Sequence, residues 1–236
     1  WGVGWYRRSI DIPAADAGKS IFLDVDGAMS YATVWLNGKI LGGWPYGYNS
    51  WRVDLPPYVV PGGKNVLAIR LDNPPASARW YPGGGLYRDI WLTKTAPVRG
   101  AQWGTAVTAS DVSAVSARIG VRLAIENASD TPATVSATSE IYTLDATGRR
   151  GTRPVARIDH ALGQLSAGGS LILDGSTTIP RPRLWGPPPT QTPNLYLAVS
   201  TIRHDRRVSD VYETRFGVRD VQLDPDRGMI VNGEPI

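Results

Sequence analysis

Tyr31-Ala-Thr-Val34-Trp35-Leu36-Asn37-Gly38-Lys39-Ile-Leu-Gly42-Gly-Trp44 is the stretch that decides the fold. Residues 31–36 alternate in polarity and run into Asn37-Gly38, and residues 39–44 alternate back out. The central residues of a tight type I′ turn both need φ > 0, which Asn and Gly adopt at the lowest cost. This dipeptide between two alternating runs predicts a β-hairpin. Outward from it the same two-residue period recurs. Residues 6–12 read as a first strand ended by Pro13. Residues 20–26 place Ile21, Leu23 and Val25 on one face. Residues 50–55, residues 65–71 after a Pro61-Gly-Gly turn, and residues 89–93 complete the series. No window carries the sustained i, i+3, i+4, i+7 apolar spacing of a helix. Short strands punctuated by Gly, Pro and Asn predict an all-β domain, a jelly-roll β-sandwich.

Thr95-Ala-Pro97-Val98 reads as a boundary, and a second strand series follows. It takes in residues 105–108, 116–126, 133–144, 155–158, 170–179, 195–203 and 208–216, with turns at Asn127-Ala-Ser-Asp130, Asp145-Ala-Thr-Gly148 and Ala167-Gly-Gly169. That spacing matches an immunoglobulin-like β-sandwich. The proline-dense run from Pro180 to Pro189 cannot join a ladder and reads as a long connection. Residues 221–224 and 228–236, with an Asn232-Gly233 turn, read as a closing hairpin. The expected organisation is 1–96, 97–219 and a short piece of something larger at 220–236.

Asn73-Pro-Pro-Ala-Ser-Ala-Arg79-Trp80-Tyr81-Pro82-Gly83-Gly84-Gly85-Leu86-Tyr87-Arg88 interrupts this regular pattern. Loops beyond about 12 residues are usually functional or disordered. This one holds too much ring surface for a plain solvated linker, and reads as a loop presenting flat aromatic faces and a cation at one rim of the first sandwich. Its glycines permit φ > 0 or close backbone approach. A phosphate-cradling role is excluded because no helix follows.

Composition narrows the chemistry. The chain has 236 residues, 42% hydrophobic and 19% charged, enough for a real core. Its 9 Trp and 10 Tyr against 2 Phe favour rings that join an apolar face to a hydrogen-bonding edge. With 0 Cys, disulfides, thiolate nucleophiles and zinc-thiolate sites are excluded. A formal charge of +4 is spread along the chain, without the basic stripe that nucleic-acid binding needs. No apolar stretch reaches the ~20 residues of a membrane-spanning helix. His160 and His204 stand far apart, with neither a Ser-His-Asp arrangement nor a metal set beside them, and both read as surface turns. Asp24, Asp26 and Glu140 read as solvent-facing, and Trp35, Trp51 and Trp91 as core. The chain opens in strand-like residues without an initiator Met or leader, and is read as a fragment or processed form, with its compartment left open.

The motifs, in order, resemble glycoside hydrolase family 2 in its β-galactosidase-like branch. Gly4-Trp5-Tyr6-Arg7-Arg8 is similar to the family's entry strand. Val34-Trp35-Leu36-Asn37-Gly38 with Gly42 resembles its hairpin. Pro45-Tyr46-Gly47-Tyr48 with Trp51, Val53 and Asp54-Leu55 resembles its next strand. Asn65 to Asn73 and Arg79-Trp80-Tyr81 to Arg88 complete the first-domain signature. In the second half, Leu184-Trp185-Gly-Pro, Pro193-Asn194-Leu195-Tyr196, Glu213 to Arg219 and Val231-Asn232-Gly233-Glu234-Pro235 follow the family's wording.

The resemblance implies a galactose-binding-domain-like jelly roll and an immunoglobulin-like domain that precede a (β/α)8 barrel. In the family that barrel supplies two glutamates, whose carboxyls must stand ~5–5.5 Å apart for retaining hydrolysis of a β-glycoside. Glu234 matches the segment entering the barrel and neither catalytic glutamate. The implied chain is therefore the non-catalytic front of a glycosidase, inert alone, with no cofactor and no metal. Its implied partners are a β-galactoside or related oligosaccharide and its own barrel; association with a second copy is left open. The resemblance carries a substrate-binding role to Asp72, Asn73, Arg79, Trp80 and Tyr81. Asp72-Asn73 also suits an Asx turn before Pro74, and Trp80 and Tyr81 also suit packing against the barrel. The Arg79 to Gly85 wording looks more like β-galactosidases than β-glucuronidases or β-mannosidases. A free carbohydrate-binding module and a purely structural sandwich pair are the rivals.

Overall fold

The computed structural model describes residues 1–77 and 83–236. The chain divides into two compact units, Trp1–Ala96 and Pro97–Ile236.

The first unit contains β1 (Gly2–Asp11), β2 (Ser20–Val25), β3 (Ala28–Met29), β4 (Ala32–Leu36), β5 (Lys39–Trp44), β6 (Trp51–Asp54), β7 (Lys64–Asn73), β8 (Gly85–Leu86) and β9 (Ile90–Thr95). One sheet runs β1-β7-β4-β5, a second runs β6-β2-β9, and the short β3-β8 pair closes one end. The only helical element among the described residues is a single 3-10 turn at Ala14–Asp16. The Asn37-Gly38 turn has φ of 51° and 79°, as a type I′ hairpin requires. Inward residues of both sheets make one core, with Val25, Val34, Leu36 and Leu55 fully buried. Each such side chain contributes about 1.5–3 kcal/mol through removal from water.

β2 lies at the centre of its sheet and is covered on both faces, so the expected one-faced alternation fails there. Asp24 is buried, not solvent-facing. Arg52 grips its carboxylate with Nε and Nη2 at 2.6 and 2.9 Å, and the Thr93 hydroxyl donates to it at 2.5 Å. The same guanidinium lies 4.2 Å over the Phe22 ring. Trp51 is core as expected, but Trp91 is 55% exposed. Ile90 and Leu92 take the inward positions of β9, which sends Trp91 outward, where its indole N–H donates to Asp26 at 2.9 Å. Trp35 also points away from the core, between the buried Val34 and Leu36.

The second unit is built from β10 (Val98–Ser110), β11 (Ser116–Asn127), β12 (Ala133–Thr143), β13 (Ala156–Asp159), β14 (Gly163–Leu165), β15 (Ser170–Pro180), β16 (Tyr196–His204) and β17 (Arg207–Phe216). A β10-β11-β15 sheet faces a β13-β12-β16-β17 sheet, with β14 added to β12. This is the layering of an immunoglobulin-like sandwich. A meander of β18 (Val221–Asp224), β19 (Gly228–Val231) and β20 (Glu234–Pro235) packs in the same unit, and the Asn232 carboxamide donates to the Trp185 carbonyl at 2.9 Å. His160 is buried rather than in a surface turn. Its Nε2 lies 3.0 Å from the Ser139 hydroxyl, itself 2.7 Å from the Ser200 hydroxyl, a polar chain inside an apolar sandwich. Burial pushes the His160 imidazole below its ordinary pKa.

Candidate functional site

Asp72 and Asn73 are the last residues of β7, not a turn. Their register partners on β1 are Val3 and Gly2. β7 alternates strictly, so Leu71 and Asn73 point inward while Asp72 points out. The Arg70 guanidinium, two residues back on the same face, holds the Asp72 carboxylate at 2.8 Å. Both side chains keep about a third of their surface in solvent, 32% and 35%. Asp72 is therefore a fixed, half-exposed acceptor. Asn73 is buried; its Nδ2 donates to the Gly83 carbonyl at 2.9 Å, while among the described residues its Oδ1 has no hydrogen-bond partner. That single bond ties together the two ends of the segment carrying residues 78–82. Arg79, Trp80 and Tyr81, the other expected site residues, lie outside the described residues.

Ser30 is fastened to this end of β7, and further bonds join residues 31 to 45 and 87 to 47. The Asp72 backbone N–H donates to the Ser30 carbonyl at 2.9 Å, and the Ser30 hydroxyl returns a bond to the Asp72 carbonyl at 2.8 Å. Tyr31 then donates from its backbone to the Pro45 carbonyl at 3.0 Å. The Tyr87 hydroxyl reaches the Gly47 carbonyl at 2.7 Å. Gly85 holds φ +80°, which favours glycine, and a Cβ there would stand 2.5 Å from the Tyr6 hydroxyl and push that ring aside. Among the described residues a Cβ at Gly83 would meet nothing within 4 Å, and one at Gly84 would stand 3.7 Å from the Asn73 Nδ2.

The strand end thus holds a half-exposed carboxylate and a buried carboxamide, and the linked loops carry exposed phenols. Tyr31, Tyr46 and Tyr48 are 53%, 56% and 50% exposed, and the last two meet edge-to-face at 5.5 Å. Sequence reasoning assigned these tyrosines no role in the site, although their place at the hinges between strands was the available signal. Fixed acceptors beside aromatic faces suit a polyhydroxylated ring, whose C–H face stacks while its hydroxyls hydrogen-bond. Among the described residues no cluster of three or more His, Asp or Glu is placed to hold a metal ion, and no helix is long and apolar enough to cross a membrane.

Two antiparallel sandwiches in series define an all-β class of protein. Comparison with known proteins narrows the class. The profile described as "Glycosyl hydrolase 2 galactose-binding domain-like" matches residues 3–83, and that described as "Glycosyl hydrolases family 2" matches residues 104–219. The chain is 38% identical to the beta-galactosidase BoGH2A of Bacteroides ovatus, over 98% of this chain and 26% of that enzyme. A solved glycosyl hydrolase family 2 member from Bacteroides cellulosilyticus superposes with a TM-score of 0.89 at 30% identity, over 99% of this chain and 31% of that one. A solved beta-glucuronidase of the same family gives 0.89 at 28% identity, over 100% and 26%. The chain belongs to glycosyl hydrolase family 2, and it spans between a quarter and a third of the length of these relatives.

Proposed function

We propose that this chain is the non-catalytic front of a retaining β-glycosidase, and that its first sandwich completes a sugar pocket whose reacting carboxylates lie on further polypeptide. The observation that carries the reading is the end of β7, where Asp72 is held out by Arg70 and Asn73 clasps Gly83 across the base of the Arg79-bearing segment. In this reading residues 220–236 lead toward the catalytic barrel. Asp72 and Asn73 address sugar hydroxyls, Arg79 pairs with a carboxylate or a hydroxyl, and Trp80 and Tyr81 cover the ring or the neighbouring barrel. The substrate is a terminal β-galactoside or a related β-glycoside. The similarity to BoGH2A favours galactose, while the beta-glucuronidase neighbour keeps uronides as the second reading.

The test is kinetic. Arg79→Ala in the full-length protein should lower kcat/KM on an aryl β-galactoside by tenfold or more, and galactose titrated into residues 1–236 alone should release no measurable heat. Unchanged kinetics would remove Arg79 from the pocket, and tight binding by the isolated chain would favour a free carbohydrate-binding module.

A further inference from the structure

The outer face of the β1-β7-β4 sheet carries a feature that the strand-end site does not use. Arg7, Ala68 and Trp35 stand in one cross-strand row, and Trp5 lies two residues from Arg7 on the same face of β1. β7 separates β1 from β4, so the two indoles can meet only by leaning over Ala68. They do, with centroids 5.2 Å apart and planes inclined by 38°. A larger side chain at position 68 would prise them apart. The tilt leaves a concavity of about 300 Å³ lined by Trp5, Arg7, Trp35, Gly38, Val66 and Ala68. Trp5 is 59% exposed. The two indoles with Val66 and Ala68 make one contiguous apolar patch around a formed depression, the kind of surface feature that marks a binding site.

We propose that this depression is a second sugar site, which holds one uronate-type pyranose unit of a glycan and is separate from the pocket at Asp72. The volume sits at the lower bound of small-molecule sites, enough for one ring. The inclined indoles offer apolar walls to a pyranose C–H face. Arg7 lies at the edge, and among the described residues it makes no ion pair or hydrogen bond. A planar guanidinium beside an aromatic slot fits a carboxylate in bidentate fashion, which selects an acidic sugar over a neutral one.

The experiment titrates residues 1–236 with β-linked glucuronic-acid tetrasaccharide and, separately, with a neutral galacto-tetrasaccharide, followed by tryptophan fluorescence and calorimetry. The acidic probe should bind at least tenfold more tightly than the neutral one. Trp5→Ala and Arg7→Gln should each weaken it at least tenfold, and Arg7→Gln, an exposed change on an edge strand, should melt as the parent does. Equal affinity for the two probes, or binding of neither, overturns the proposal. So does loss of binding on Asp72→Ala but not on Trp5→Ala, which would move the site to the strand end. Self-association abolished by Trp5→Ala, or binding by residues 1–236 that the full-length protein lacks, would identify the face as a protein contact and also overturn it.

Discussion

Gly85→Ala is the perturbation whose cost is most fully specified by the structure. Two separate penalties fall on one methyl group. At φ +80° an alanine pays the left-handed backbone cost, roughly 1–2 kcal/mol. The new Cβ also stands 2.5 Å from the Tyr6 hydroxyl, with the ring carbon behind it at 3.7 Å. The overlap falls on the outer end of a side chain that is 41% exposed, so the Tyr6 ring can swing aside at about 0.5–1.5 kcal/mol, the cost of an off-rotamer χ. The sum is about 1.5–3.5 kcal/mol, and the second part disappears once the hydroxyl is gone. Tyr6→Phe alone removes only a long 3.4 Å bond from the Leu86 N–H, so it should cost less than about 1 kcal/mol. The double variant should then be destabilised by little more than the backbone part. The assay is urea unfolding of the four members of the cycle, with the transition of the first unit resolved from that of the second. A coupling of about 0.5–1.5 kcal/mol in favour of the double variant is expected, the off-rotamer cost that Tyr6→Phe removes. If Gly85→Ala costs the same in the Tyr6→Phe background as in the parent, β1 does not brace the glycine segment and the reasoning fails.

Other outcomes follow from the same geometry. Asp24→Ala strands the Arg52 guanidinium and the Thr93 hydroxyl in a buried layer and should cost about 3 kcal/mol; Asp24→Ala with Arg52→Met should recover part of this in the same urea series. His160 is held neutral by burial, so the unfolded chain takes up its proton first as the pH falls. The stability of the second unit should therefore be level above about pH 6.5 and decline below it, and a urea midpoint just as sensitive to pH in His160→Gln would show that another group is responsible. Asp16 is held below the usual carboxylate range by hydrogen bonds from Lys19 and Lys94, at 2.7 and 2.8 Å. Its contribution is present above about pH 4 and fades in acid, so Asp16→Asn should flatten the acid limb of the melting curve of the first unit.

The alternation around Asn37-Gly38 was enough to read an all-β chain, because turn chemistry and the two-residue period act locally. It misplaced edges and faces wherever tertiary cover decided the outcome. β2 sits mid-sheet under the Arg52–Asp24 pair, so its polar residue is as buried as its apolar ones, and no local pattern announces that. Trp91 reads as core by hydrophobicity, yet the faces taken by Ile90 and Leu92 push it out. β1 begins at Gly2, four residues before the strand read from residues 6–12, because its pairing with β7 continues through Gly2-Val3-Gly4-Trp5. β3 and β8 span two residues each, too short for any periodic signal. At the site, Asp72 and Asn73 were singled out by family wording alone. Tyr31, Tyr46 and Tyr48 were not, since the loops that carry them are joined by a backbone bond from Tyr31 to Pro45 that no local pattern announces. Trp5 and Trp35 are 30 residues apart and meet only because Ala68 lies beneath them on a third strand.

The central claim is that the end of β7 forms one wall of a sugar pocket completed by polypeptide beyond these two sandwiches. The most direct measurement is kcat/KM of the full-length protein carrying Asp72→Ala, on aryl β-galactoside and aryl β-glucuronide, with melting followed in parallel. The account predicts a loss of tenfold or more on the preferred substrate at an unchanged melting temperature. An Asp72→Ala enzyme as active as its parent on both substrates would contradict it.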